Sequence, residues 1–187
     1  ASMFTGRYSF EHGAHAFKES TGGRVASKVR PLHDRHETLA ELLAPAGYDM
    51  RAVSANTNLK GRNVLQGFGE AVIEHMYAPE VNRLVLPWIG TESLAPFFLF
   101  VNYIDAHRPY NTEPVTGLVD DAVSQDKTLI KNLMDTVLKN PERPAPADLV
   151  RQVIDQYDTA IRHIDTAIEG VFEQLRRSSV YDDSFII

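Results

Sequence analysis

Asp105-Ala106-His107-Arg108-Pro109-Tyr110 is the segment whose residue types and position are best suited to chemistry. It directly follows Phe97-Phe98-Leu99-Phe100-Val101-Asn102-Tyr103-Ile104, a near-continuous apolar run rich in aromatics. Such a run predicts a strand covered on both faces of a parallel sheet. In open α/β sheets ligands gather beyond the carboxyl ends of the strands, so the spacing puts His107 where a ligand would bind. An imidazole there can hydrogen-bond an oxyanion or a leaving-group oxygen, and it acts as an acid when protonated. The competing expectation is that His107 only caps the strand or bonds a backbone carbonyl.

Other constellations are weaker. His12/His15 and His33/His36 have the H-x-x-H spacing that presents two imidazoles to one metal when helical, but neither pair shares a clear helical face. Neither contains the Glu of H-E-x-x-H, and the expectation is solvated loop histidines with no metal ligand in this segment. His75 and His163 fall in helical patterns, as surface or boundary residues. Thr21-Gly22-Gly23-Arg24 lacks the glycine spacing and lysine of a phosphate-binding loop and reads as a flexible turn. Asp158 and Asp165, seven residues apart, share one face of a helix, and solvation or capping is the expected role. No G-x-S-x-G elbow occurs.

Helices and strands alternate along the chain. The segment from His36-Glu37-Thr38 through Leu39, Leu42, Leu43 and Ala46 predicts a short amphipathic helix closed by Gly47. Residues 48–54 follow as a strand ending in the polar turn Asn56-Thr57-Asn58, and residues 66–77 suggest another helix. Pro87-Trp88-Ile89-Gly90 fits a helix end or a loop. Residues 111–146 read as an irregular excursion around a helix near 126–139, leaving directly from the His107 turn and expected to shape a substrate entrance. The longest periodic segment starts at Pro146-Ala147-Asp148; Val150, Val153, Ile154, Tyr157, Ile161, Ile164, Ile168, Val171, Phe172 and Leu175 form one apolar stripe. Arg176 and Arg177 complement the helix dipole in its last turn. This alternation predicts an α/β layered fold with a mostly parallel sheet.

Bulk properties narrow the function classes. A chain of 187 residues fits one domain, and 43% hydrophobic residues suffice for a sizeable core. A net charge of -6 without a basic run disfavours nucleic acid and anionic membranes as partners. No window approaches the roughly 20 apolar residues of a membrane-spanning helix. The absence of cysteine excludes disulfides and thiolate metal sites here. The sequence opens on Ala1 without a signal pattern and closes on Phe185-Ile186-Ile187, read as the start of a strand. Both ends therefore read as cut.

Several segments together resemble the sulfatase family of the alkaline phosphatase superfamily. Ala1-Ser2-Met3-Phe4-Thr5-Gly6-Arg7-Tyr8 resembles the stretch after the family's C/S-x-P-S-R nucleophile motif, and His12-Gly13 the "HG" that follows. Thr38 to Tyr48 is similar to T-L-A-x-x-L-x-x-A-G-Y, and Phe97 to Tyr110 to F-F-L-F-x-N-Y-x-D-x-H-x-P-Y. Tyr157-Asp158, Ile161, Asp165 and Ile168 resemble a Y-D-x-x-I-x-x-x-D-x-x-I helix, and Tyr181 to Ile187 the strand that runs on into T-S-D-H-G. The order and spacing hold over nearly the whole chain.

The resemblance implies an alkaline-phosphatase-like α/β/α sandwich, here residues 1–187 as a partial catalytic domain truncated at both ends. It implies hydrolysis of small-molecule or carbohydrate sulfate esters by a formylglycine nucleophile with calcium as the divalent cation, both carried by segments outside this one. His107 resembles the histidine that contacts the sulfate or the leaving oxygen. Asn56, Asn58 and Arg108 are candidate substrate-binding residues; for the two asparagines a structural turn is the alternative. Where many members have G-K-W-H, this chain has Val53-Ser54-Ala55-Asn56-Thr57-Asn58, a departure that sets it apart from simple arylsulfatases. A phosphoester or phosphonoester hydrolase of the superfamily and a non-catalytic sulfatase-like binding protein remain the alternative functions.

Overall fold

The structure, a computed structural model, describes residues 1–21, 24–90, 95–110, 112, 123 and 125–187. Its central feature is a three-stranded parallel sheet in the order β4-β3-β5, formed by β3 (Asp49–Ser54), β4 (Glu70–Ile73) and β5 (Phe97–Asn102). β3 pairs Val53 with Val72 on one side and with Val101 on the other, so the carboxyl ends of β3 and β5 stop level, Ser54 opposite Asn102. The α/β class with parallel strands is therefore as the alternation of elements predicts. Two compact units divide the described residues: Ala1–His75 with Glu92–Asn102, and Met76–Thr91 with Tyr103–Ile187.

In the first unit, helices α1 (Ser2–Thr5) and α2 (Ser9–His12) precede an antiparallel hairpin of β1 (Ala16–Thr21) and β2 (Arg24–Val29). Gly22 and Gly23 of the expected turn lie outside the described residues. Phe4 anchors the core: it is 5% exposed and meets the rings of Phe68, Phe98 and Phe100 edge-on at 5.5, 6.5 and 5.0 Å. Edge-to-face geometry sets the positive ring edge against a negative ring face and adds to the area term. Helix α3 (Leu39–Leu43) starts at a full capping box, in which Thr38 Oγ1 accepts from Glu41 N–H while Glu41 Oε2 accepts from Thr38 N–H. Two orphan amides at the helix start are satisfied at once. The helix continues as a 3-10 turn at Ala44–Ala46 and ends on Gly47 in the left-handed region, φ 80.

Two expectations in this unit need correction. Residues 66–77 do not form a helix; they turn through Gly67 and Gly69 and enter β4, which pairs with β3. Two glycines weaken a helix, and β-branched Val72 and Ile73 fit a pleated surface when a strand lies alongside. β5, expected to be fully covered, is half-buried at each of its six positions.

The second unit is helical. α4 (Ala78–Ile89) buries Ala78, Val81, Val85 and Ile89, one face at helical spacing, and packs on α6 (Ala147–Arg177). Pro87 sits in the last turn of α4, so Pro87-Trp88-Ile89-Gly90 is a helix end. α5 (Leu129–Lys139) matches the helix expected near 126–139, and α6 runs for 31 residues as the periodicity predicts. Residues 111, 113–122 and 124 of the expected excursion lie outside the described residues. His163 lies on α6, whereas His75 is in an irregular stretch and exposed.

α6 does not bury its apolar residues as one stripe. Val153, Ala160, Ala167 and Leu175 are buried with Gln156 and Thr159, whereas Ile154, Tyr157, Ile161 and Ile168 are exposed. α6 packs against α4 and α5, and the Gln156 amide, donating to the carbonyls of Val123 and Asp126, is satisfied where it is buried. The terminal strand expected at Phe185–Ile187 is likewise absent among the described residues: the segment is irregular, and Phe185 and Ile187 are exposed. A strand needs a neighbour for its backbone groups, and none is paired with it here. No described helix is long and apolar enough to cross a membrane.

Candidate active site

His107 stands in a tight turn that begins where β5 ends. Its backbone N–H donates to Ile104 O at 2.7 Å, which folds the chain back around Asp105. Asp105 is buried, and its Oδ1 accepts from the N–H of Ala78, the first residue of α4, at 3.0 Å. The first amides of a helix lack intrahelical acceptors, so the carboxylate satisfies one of them and sits against the positive end of the helix dipole. Two residues earlier, Tyr103 Oη donates to Asn82 Oδ1 at 2.6 Å, and Asn82 Nδ2 donates to Ala167 O at 2.8 Å. The turn is thus pinned to α4 at Tyr103 and Asp105, and α4 to α6.

The imidazole of His107 is exposed, and its Nδ1 lies 2.8 Å from Arg108 O. A carbonyl oxygen only accepts, so Nδ1 carries the hydrogen in this arrangement and Nε2 is left for another partner. Neutral, that nitrogen is a base; protonated, it is a donor to an oxyanion. The backbone-carbonyl bond expected as the alternative role is therefore present, and it leaves one nitrogen available. Arg108 is exposed and its Nη1 donates to Met134 Sδ at 3.2 Å, ahead of a cis peptide to Pro109.

Asn56 and Asn58 belong to the first unit. Asn56 Oδ1 accepts from Asn58 N–H at 3.1 Å and caps the 3-10 turn Thr57–Leu59, an Asx-turn. The Asn58 side chain is exposed. The structure thus joins Asn56 to Asn58 in one turn, and His107 to Arg108 in another within the second unit. Sequence reasoning passed over Ser54 and Asn102, whose side chains meet at 3.1 Å, Ser54 Oγ donating to Asn102 Oδ1. Ala55 N–H also donates to Asn102 O. The available signal was that each is the polar last residue of an apolar strand.

The histidine pairs are not uniformly solvated. His12 is 4% exposed and His36 8% exposed, while His15 and His33 are exposed. His12 Nδ1 accepts from Ala14 N–H at 2.9 Å, and its Nε2 lies 2.8 Å from Ser2 Oγ. His36 Nε2 accepts from Arg35 Nε at 3.2 Å. Burial first, then nearby positive groups (His15 for His12, Arg35 and Arg7 for His36), hold both imidazoles below the ordinary histidine range. These residues serve packing and hydrogen bonding within α2 and the loop before α3. Among the described residues no group of three His, Asp or Glu is arranged to hold a metal ion. Asp158 and Asp165 line a shallow depression on α6 with Ile161 and Arg162 and are exposed.

The profile of the sulfatase family matches residues 1–187, the whole chain. The chain belongs to the sulfatase family. A search of curated proteins returns no match. As a sulfatase-family chain it is a hydrolase-type domain, and its parallel sheet with flanking helices agrees with the α/β class of that family.

Proposed function

We propose that this sulfatase-family protein hydrolyses sulfate esters of small molecules or carbohydrates, with His107 as the group that meets the sulfate or the leaving oxygen. The observation that carries this reading is the bond between His107 Nδ1 and Arg108 O, which orients the ring and leaves Nε2 at the exposed end of a pinned turn. Hydrolysis forms a bond from a water oxygen to sulfur and breaks the ester sulfur–oxygen bond, so the sulfuryl group leaves as sulfate and negative charge builds on the departing oxygen. A proton passed from Nε2 of the imidazolium neutralises that oxygen and releases the alcohol. Arg108 supports a negatively charged substrate by charge.

The family resemblance also implies calcium and a formylglycine nucleophile. No described cluster of ligands fits a cation. No step of this reading runs through either group.

The test is His107→Ala in the natural full-length protein, assayed on an aryl sulfate and the matching aryl phosphate. Removing a general acid lowers turnover by about 100-fold or more. Because the ring is exposed, the unfolding midpoint should stay where it was. Wild-type turnover in the variant removes His107 from the mechanism, and preference for the phosphate moves the reading to phosphoester hydrolysis.

A further inference from the structure

The turn that carries His107 is fastened to helices of the second unit on both sides of the histidine. Before it, Asp105 Oδ1 accepts from the Ala78 N–H at 3.0 Å, at the start of α4. After it, Arg108 Nη1 reaches Met134 Sδ on α5, and the Tyr110 ring meets the Tyr157 ring of α6 edge-on, 5.1 Å between centroids. His107 itself has no such hold. Its ring is exposed, and among the described residues its hydrogen bonds run to Ile104 O and Arg108 O, both inside the turn. The imidazole therefore inherits its position from the backbone of the turn. Asp105 is the strongest of the fastening points: it is 1% exposed, whereas Arg108, Met134 and Tyr157 are exposed. A hydrogen bond to a carboxylate is also roughly twice as strong as one between neutral groups. The other carboxylate oxygen, Oδ2, has no donor among the described residues. The anchor is thus a single described bond, and one substitution removes it.

We propose that Asp105 is a positioning residue: through its bond to the Ala78 amide it fixes the turn, and with it the direction in which His107 Nε2 points, without touching the substrate itself. Its effect on turnover rests on the sulfatase reading of His107; its effect on the ring stands on the geometry of the second unit alone. Misplacing a reacting group by about 1 Å costs about 100-fold in rate, so a modest shift of the turn is enough to register.

The experiment is a double-mutant cycle in the natural full-length protein, with Asp105→Ala and His107→Ala made singly and together and assayed on an aryl sulfate. In D105A kcat should fall about tenfold, by more than any rise in KM, because a general acid acts on the transition state and not on binding. In the His107→Ala background the same substitution should change turnover by less than about twofold, since the group it positions is already gone. A merely structural role would lower both backgrounds by the same factor. D105N keeps an acceptor for the amide and should recover most of the loss. The tautomer of the His107 ring, read from its ring-nitrogen NMR shifts, gives a readout independent of activity. The wild-type ring holds its hydrogen on Nδ1, against Arg108 O, and D105A should shift it toward Nε2 as that bond loosens. Should D105A fail to fold, D105E keeps the charge, displaces the acceptor and takes its place with the same expectations. Wild-type turnover in D105A while His107→Ala is impaired, an equal loss in both backgrounds, or an unchanged tautomer overturns the proposal. Wild-type turnover in His107→Ala overturns the sulfatase reading of that residue instead, and the NMR shifts then decide whether Asp105 sets the ring.

Discussion

Asp105 and Ala78 are joined by a 3.0 Å hydrogen bond in which one carboxylate oxygen accepts from the first amide of α4, while the other oxygen is buried with no donor among the described residues. The bond holds the residue two positions before His107, so it belongs to the turn as much as to the helix. Asp105→Ala leaves the Ala78 amide buried without its acceptor and should cost about 1–3 kcal/mol. Asp105→Asn keeps an acceptor oxygen and should cost less. Urea unfolding of both variants measures this, and an Asp105→Ala midpoint equal to the wild type would show that the bond contributes nothing.

Tyr103 gives the fold an alkaline limit. Burial, then the Asp105 charge, push its hydroxyl up to about 12 from an ordinary 10.0. The folded state therefore holds the proton more tightly than the unfolded state. The stability this contributes is fully present below the unfolded value and is lost as pH rises from there through the folded value. The wild type should lose stability between about pH 9 and about pH 12, and Tyr103→Phe should lose less over the same range. Denaturant midpoints for the two proteins decide it; parallel curves would exclude Tyr103 as the source.

His12 sets an opposite limit in mild acid. Its imidazole is held below the histidine range by burial first, then by His15. With the folded value depressed, the unfolded chain binds the proton more readily. Stability is then complete above the unfolded value near 6.5 and declines as pH falls through the folded one. Protonation also puts a hydrogen on Nδ1, which accepts from Ala14 N–H. His12→Gln should flatten this part of the acid profile without removing the similar contribution of His36. Thermal melting from about pH 7 to about pH 5 is the measurement, and an unchanged slope in the variant counts against the assignment.

Gly67 should tolerate no side chain. Its φ is +86, and a Cβ there would lie 2.6 Å from Glu41 Cγ, 2.7 Å from Glu41 N and 3.1 Å from Ala40 C. The helix backbone cannot yield as a flexible side chain could, and a positive φ adds strain for an L-residue. Gly67→Ala should destabilise by about 2 kcal/mol or more. A chemical denaturation curve that overlays the wild type would mean the 66–68 turn relaxes freely.

Features governed by neighbours in sequence were legible. The aromatic run of β5 and the spacing of Val150 to Leu175 carry their own periods, so strand and long helix could be read directly, as could the capping residue Thr38 and the closing Gly47. The His107 turn was legible because it follows the strand at once. Residues 66–77 misled because their apolar content suits a helix or a strand, and only pairing with β3 decides between them.

By itself, then, the sequence determined the alternation of elements, the parallel α/β class, the position of His107 at a strand end and, through its ordered motifs, the family. Tertiary structure alone decided that His12 and His36 are buried, that Asp105 meets Ala78, and that Ile154, Tyr157, Ile161 and Ile168 stay exposed on α6. The division has a physical cause. Helical and strand periods are set within a few residues, whereas burial, hydrogen-bond partnership and the local field at a charge depend on groups that the fold brings from tens of residues away.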